Sequence, residues 1–150
     1  MPVTTGIQHV ALLTEDLDRF IDFYSTVFEA EATWVLTEEG VQHAFVDMGG
    51  GFYLHPFQIP DAPDDARGKD EFFQRGHIDH LAIAVDEEET FQVLRKRLVE
   101  AGASDGMLVD FGTVRSVWFT DPDGMGSEIV IEADGEIRSL KDAIRIEYLS

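Results

Sequence analysis

The sequence predicts an α+β fold made of two copies of one βαβββ module. Three observations predict it. First, sliding the chain by 71 positions lays Ile7-Gln8-His9-Val10-Ala11-Leu12-Leu13 on Ile78-Asp79-His80-Leu81-Ala82-Ile83-Ala84. Second, each of these apolar runs is followed by apolar residues at helical spacing. Third, each copy closes with three more short apolar runs separated by turn-forming residues.

The elements follow in order. Ile7–Thr14 and Ile78–Val85 are short and dense in apolar residues, as strands are. In the first copy Leu17, Phe20, Ile21, Tyr24 and Phe28 recur at helical spacing, with Thr14 or Asp16 available as N-cap. In the second copy Phe91, Leu94, Leu98 and Val99 do the same, and Ala101-Gly102 ends the helix. Three further strands are expected at Ala32–Thr37, Val41–Asp47 and Phe52–Phe57, and at Met107–Phe111, Val114–Thr120 and Ser127–Glu132. Turns at Glu39-Gly40, Gly49-Gly50-Gly51, Gly112 and Asp121-Pro122-Asp123-Gly124 separate them.

The 150 residues thus read as one domain, with modules at about 6–58 and 77–133, a Pro- and Asp-rich linker at 59–76, and a tail at 134–150. Phe72-Phe73 in the linker reads as a pair docked on the core. In the tail, Ile144, Ile146 and Tyr148 alternate like a strand, while Leu140 and Ile144 fit a helix. The tail is expected on the surface or at an oligomer contact.

Composition narrows the chemistry. With no cysteine, disulfides and thiolate metal sites are excluded, so any metal must be held by His, Asp, Glu or Tyr. Thirty acidic against 11 basic side chains give a formal charge of −19. That sign repels phosphate backbones and anionic membrane surfaces, so neither nucleic acid nor a membrane is an expected partner. Met1-Pro2-Val3-Thr4-Thr5 lacks the basic and apolar regions of a signal peptide, and no apolar run approaches the ~20 residues of a membrane span. A cytoplasmic protein is expected.

Strand alternation then sorts the side chains. Val10 and Leu12 point to one face and His9 and Ala11 to the other; Leu81 and Ile83 oppose His80, Ala82 and Ala84 in the same way. The face away from each helix therefore carries a His and then small residues, which leaves room for a ligand. In the last strand of the second copy Ile129 and Ile131 face the helix, so Glu128 faces the hollow with Val130. Two imidazoles and one carboxylate aimed into a concavity form the 2-His-1-carboxylate ligand set of many non-haem iron sites. In the first copy Leu54 faces the helix, and Tyr53 and His55 face the hollow. The counterpart of Glu128 is His55 or Tyr53, depending on how the glycine turns align; either is a candidate fourth ligand or proton-transfer group. His43, on a face with Phe45 and Asp47, reads as a half-buried structural histidine, and His77 as exposed. Trp34 and Trp118 read as core or pocket wall, and Arg115 as a surface strand residue.

These residues resemble the vicinal oxygen chelate superfamily, the glyoxalase/bleomycin-resistance/dioxygenase group. The resemblance is carried by His9-Val10-Ala11 with Asp16-Leu17, Phe20 and Tyr24, by His80-Leu81-Ala82-Ile83, and by Phe119-Thr120-Asp121-Pro122-Asp123-Gly124 ahead of Glu128. It implies paired βαβββ modules whose curved mixed sheets form a cup-shaped site. It also implies a divalent metal, Fe(II) or Mn(II) before Zn(II) or Ni(II), held by His9, His80 and Glu128, and a homodimer.

The resemblance further implies a metal-dependent enzyme acting on a small oxygen-chelating substrate. Glyoxalase I enzymes carry a Glu in the last strand of the first module, where this chain offers Tyr53 and His55, so a glyoxalase-type lyase is disfavoured. Fosfomycin-modifying relatives need a cationic pocket, against which the sparse Lys and Arg argue. Dioxygenase-like chemistry, with His55 or Tyr53 as acid–base partner, is the expectation. The remaining alternative is a non-catalytic binding protein of the bleomycin-resistance kind.

Overall fold

The computed structural model describes residues 6–62 and 78–148. Phe72-Phe73, His77 and most of the 59–76 linker lie outside the described residues. The fold is mixed α+β with two curved sheets that are not closed, each formed by one βαβββ module. The chain divides into two compact units, Met1–Asp64 and Asp65–Ser150.

Unit 1 contains β1 (His9–Leu13), α1 (Leu17–Phe28), β2 (Glu31–Glu38), β3 (Val41–Asp47) and β4 (Tyr53–Gln58). Its sheet order is β1-β4-β3-β2, with β1 and β4 parallel and the other pairs antiparallel. Of the two candidate caps, Asp16 starts α1, its carboxylate accepting from the Arg19 backbone N–H at 3.0 Å. Leu17, Phe20, Tyr24 and Val27 are buried along one side of α1, which packs on β3 and β4, where Ala44, Val46 and Leu54 are fully buried. Each such Leu or Phe contributes about 1.5–3 kcal/mol by leaving water. That packing turns Leu54 inward and so turns its neighbours Tyr53 and His55 to the opposite, open face.

A bulge in β2 shifts the register between Ala32 and Trp34. Thr33 is the extra residue, and the slip brings Trp34 opposite Phe45 on the open face. The sequence alone did not indicate this.

Unit 2 contains β5 (Leu81–Ala84), α2 (Glu88–Glu100), β6 (Leu108–Asp110), β7 (Val114–Thr120), β8 (Gly126–Glu132) and β9 (Ile144–Ile146). The order is β5-β8-β7-β6-β9, again with the first pair parallel. Phe91, Leu94 and Leu98 of α2 are buried, and α2 packs on β8, whose Ile129 and Ile131 are buried. His80 sits at the lead-in to β5 rather than within it. Of the two readings of the tail, the strand is realised: β9 pairs antiparallel with β6 at the sheet edge. Arg95 secures it, donating to the carbonyls of Gly106 at 2.7 Å and Ile146 at 3.0 Å, with its guanidinium 5.2 Å from the Tyr148 ring centre.

Candidate functional site

The open faces of the two sheets carry matching sets of side chains. Ala11 pairs with His55 across β1 and β4, and Ala82 pairs with Glu128 across β5 and β8. The 71-residue shift that lays His9 on His80 also lays Ala11 on Ala82. The register therefore makes His55 the counterpart of Glu128, the question that the glycine turns left open. Tyr53 instead pairs with His9.

In unit 2, His80 Nδ1 lies 2.8 Å from Asp79 Oδ2. A carboxylate only accepts, so Nδ1 donates to Asp79, and Nε2 is the ring nitrogen left to face Glu128. Glu128 Oε1 lies 3.5 Å from that Nε2. The other carboxylate oxygen, Oε2, accepts from the Ser116 hydroxyl. His80, Asp79 and Glu128 are half-buried. Trp118, opposite Glu128 on β7, meets the His80 ring edge-on at 5.3 Å.

Unit 1 repeats part of this arrangement, with the His9 and His55 ring centroids 5.6 Å apart. His9 Nδ1 is hydrogen-bonded to Gln8 Oε1, the residue before it, as His80 is to Asp79. Phe45 on β3 lies 5.4 Å from the His9 ring, as Trp118 lies beside His80. His43 Nδ1 is 3.0 Å from His55 Nε2, where unit 2 has Ser116 and Glu128. Burial, with the neighbouring His43 and His9 imidazoles, pushes His55 below the ordinary histidine range. The neutral ring is the form this site favours.

The turn before β8 fixes where Glu128 stands. Asp121 is buried, and its Oδ1 accepts from the backbone N–H groups of Asp123 at 2.9 Å and Met125 at 2.8 Å. Gly124 closes the turn at φ 84°, in the left-handed region. Two residues on, Gly126 lies under the Trp118 indole, where an added Cβ would come within 2.4 Å of Cζ2.

Of the sequence candidates, His80 and Glu128 are brought together within unit 2, and His9, Tyr53 and His55 share the open face of unit 1. Among the described residues, no group of three or more His, Asp or Glu side chains stands assembled around one point. Arg115 points to the helix side, where it pairs with Glu88 of α2. Gln8, Asp79 and Ser116 were missed as supporting groups. The available signal was that each repeat histidine follows a hydrogen-bonding residue.

The family model for the Glyoxalase/Bleomycin resistance protein/Dioxygenase superfamily matches residues 6–129. A glyoxylase/bleomycin resistance protein/dioxygenase domain from Frankia sp. EAN1pec is 25% identical, with TM-score 0.65, covering 86% of this chain and 98% of that one. A glyoxalase/dioxygenase from Nostoc punctiforme is 23% identical, with TM-score 0.62 and coverage of 85% and 91%. Fosfomycin resistance protein FosX from Listeria monocytogenes, in complex with Mn(II) and sulfate ion, is 17% identical, with TM-score 0.60 and coverage of 93% and 98%.

Proposed function

The chain belongs to the Glyoxalase/Bleomycin resistance protein/Dioxygenase superfamily, and from that premise we propose that it is a metal-dependent enzyme with dioxygenase-like chemistry on a small oxygen-chelating substrate. The observation that carries the reading is the His80–Glu128 pair. The Nε2 ring nitrogen and a carboxylate oxygen face each other at 3.5 Å, while Asp79 occupies the other ring nitrogen. An imidazole nitrogen and a carboxylate oxygen at that separation are a pair of ligand atoms that one divalent ion can share. The donors suit a divalent ion such as the Mn(II) in the FosX complex, or Fe(II), with Zn(II) and Ni(II) as weaker fits.

In this reading His80, Glu128 and His9 hold the ion. When bound, it supplies a Lewis acid that offsets negative charge on a substrate oxygen. The rest is done by the chain itself. Asp79 and Gln8 orient the two imidazoles, and Ser116 orients the Glu128 carboxylate. His55, favoured as the neutral ring, accepts a proton from the substrate hydroxyl, with Tyr53 as second candidate. The proposal includes a cytoplasmic homodimer whose two modules act as one domain. No helix among the described residues is long and apolar enough to cross a membrane.

Titration of untagged, chelator-treated protein with Mn(II) tests the metal. Wild type should bind, and Glu128→Ala, still folded by circular dichroism, should lose more than about 100-fold in affinity. Equal binding by both, or none by wild type, overturns the metal assignment. Oxygen uptake with a catechol panel then separates a dioxygenase from a glyoxalase-type lyase. Small-molecule binding without any metal would instead identify a protein of the bleomycin-resistance kind.

A further inference from the structure

We infer that the outer edge of β2 is a docking site for an extended peptide segment of a partner protein, one with an apolar centre and Lys or Arg at its ends. The two sheets differ at one edge. In unit 2 the chain's own tail covers β6, with Leu108, Val109 and Asp110 opposite Ile146, Arg145 and Ile144 of β9. The corresponding edge of unit 1 is β2, and among the described residues no strand pairs with its outer side. Yet β2 is the longest described strand, at 8 residues. An antiparallel edge strand turns alternate N–H and C=O groups outward, and a bare row of them takes up a further strand. Past the bulge the register runs unbroken from Trp34 to Glu38, so the edge there is regular enough to template one. Val35 is 52% and Leu36 45% exposed, on opposite faces of the sheet, so an added strand meets apolar surface on both faces.

Charge selects the occupant. Glu31 stands at one end of β2, and Glu38 with Glu39 at the other. Arg19 is the sole Lys or Arg between residues 1 and 64, and it lies on α1, 3.7 Å from Glu15. A second copy fits this edge badly. Laying β2 antiparallel on its own copy sets Glu31 against Glu38, and each copy carries a charge of −19. A strand with basic ends instead places opposite charges at both positions. β9 shows the same pattern on a smaller scale: Arg145 stands between two isoleucines, on an edge that ends in Asp110.

Fluorescence anisotropy of labelled peptides titrated with the full chain tests this. The probes are the peptide Lys-Thr-Val-Ile-Thr-Val-Thr-Lys, the same peptide with Glu at both ends, and the basic peptide with Pro in place of Ile. The basic peptide should bind at least about tenfold more tightly than the acidic one, and the difference should shrink in about 0.5 M salt. The Pro peptide should bind at least about tenfold more weakly than its parent, since Pro cannot donate to the ladder. Replacing the exposed carboxylates together, Glu31→Lys with Glu38→Lys, should reverse the preference between the basic and acidic peptides. Equal binding of those two peptides, binding of neither, full affinity of the Pro peptide, or an unchanged preference in the folded double variant overturns the inference. So does a dimer of the chain alone that Val35→Lys dissociates, which gives the edge to a second copy.

Discussion

His55 occupies in the unit 1 sheet the position that Glu128 occupies in the unit 2 sheet, each paired with the alanine two residues after a repeat histidine. The same position carries different chemistry. Glu128 is an acceptor aimed at His80, whereas His55 is a neutral imidazole among aromatic rings. Their replacements should therefore separate. Glu128→Ala should abolish Mn(II) binding, while His55→Ala should hold Mn(II) within about tenfold of wild type and lose turnover by about 100-fold or more. Paired calorimetry and oxygen-uptake measurements on the two variants check this. Equal loss of metal in both would make His55 a ligand.

Asp79 acts on the site through His80. Its carboxylate fixes which ring nitrogen carries the proton, and Asn in its place keeps the shape and loses the charge. Asp79→Asn should lower Mn(II) affinity about 10–100-fold with the melting temperature little changed. The His80 nitrogen chemical shifts in a ¹⁵N NMR spectrum should move in the same variant, reporting the altered tautomer balance.

How much of this was legible in the sequence depended on how local each feature is. The strands Val41–Asp47 and Val114–Thr120 were read with their observed bounds because glycine or Asp-Pro turns flank them. The inward set Leu54, Ile129 and Ile131 followed from local spacing, which also narrowed the α1 cap to Thr14 or Asp16. The choice between Tyr53 and His55 did not, because Gly49-Gly50-Gly51 blurs the alignment and the answer lies in the pairing of β4 with the distant β1. Trp34 reaches the open face through a bulge that its flanking residues do not announce. The tail was ambiguous since β9 spans only Ile144–Ile146, too short for alternation to exclude a helix.

Gly126 makes room for Trp118. A methyl group there would meet the indole at 2.4 Å, and the indole in turn packs edge-on against His80. Gly126→Ala should cost about 1–3 kcal/mol as the ring is pushed aside. The near-ultraviolet circular dichroism of tryptophan should change along with the denaturation midpoint. A variant that keeps the wild-type spectrum and midpoint would show that Trp118 does not rest there.

The Asp110–Arg138 clip should make the β6 end of unit 2 sensitive to acid. Asp110 Oδ1 accepts from the Gly112 backbone N–H at 2.6 Å and from Arg138 Nη1 at 2.6 Å. The Gly112 N–H first, and the Arg138 guanidinium with it, hold the carboxyl below its ordinary range. A depressed carboxylate pKa means that the unfolded chain takes up its proton first as pH falls. The stabilisation is therefore fully present above the ordinary carboxylate range and is lost as pH drops through it toward the folded value. Asp110→Asn should lower the urea midpoint at pH 7, and the gap from wild type should shrink steadily below about pH 4. A gap that stays constant from pH 7 to pH 3 would assign the effect to packing rather than to charge.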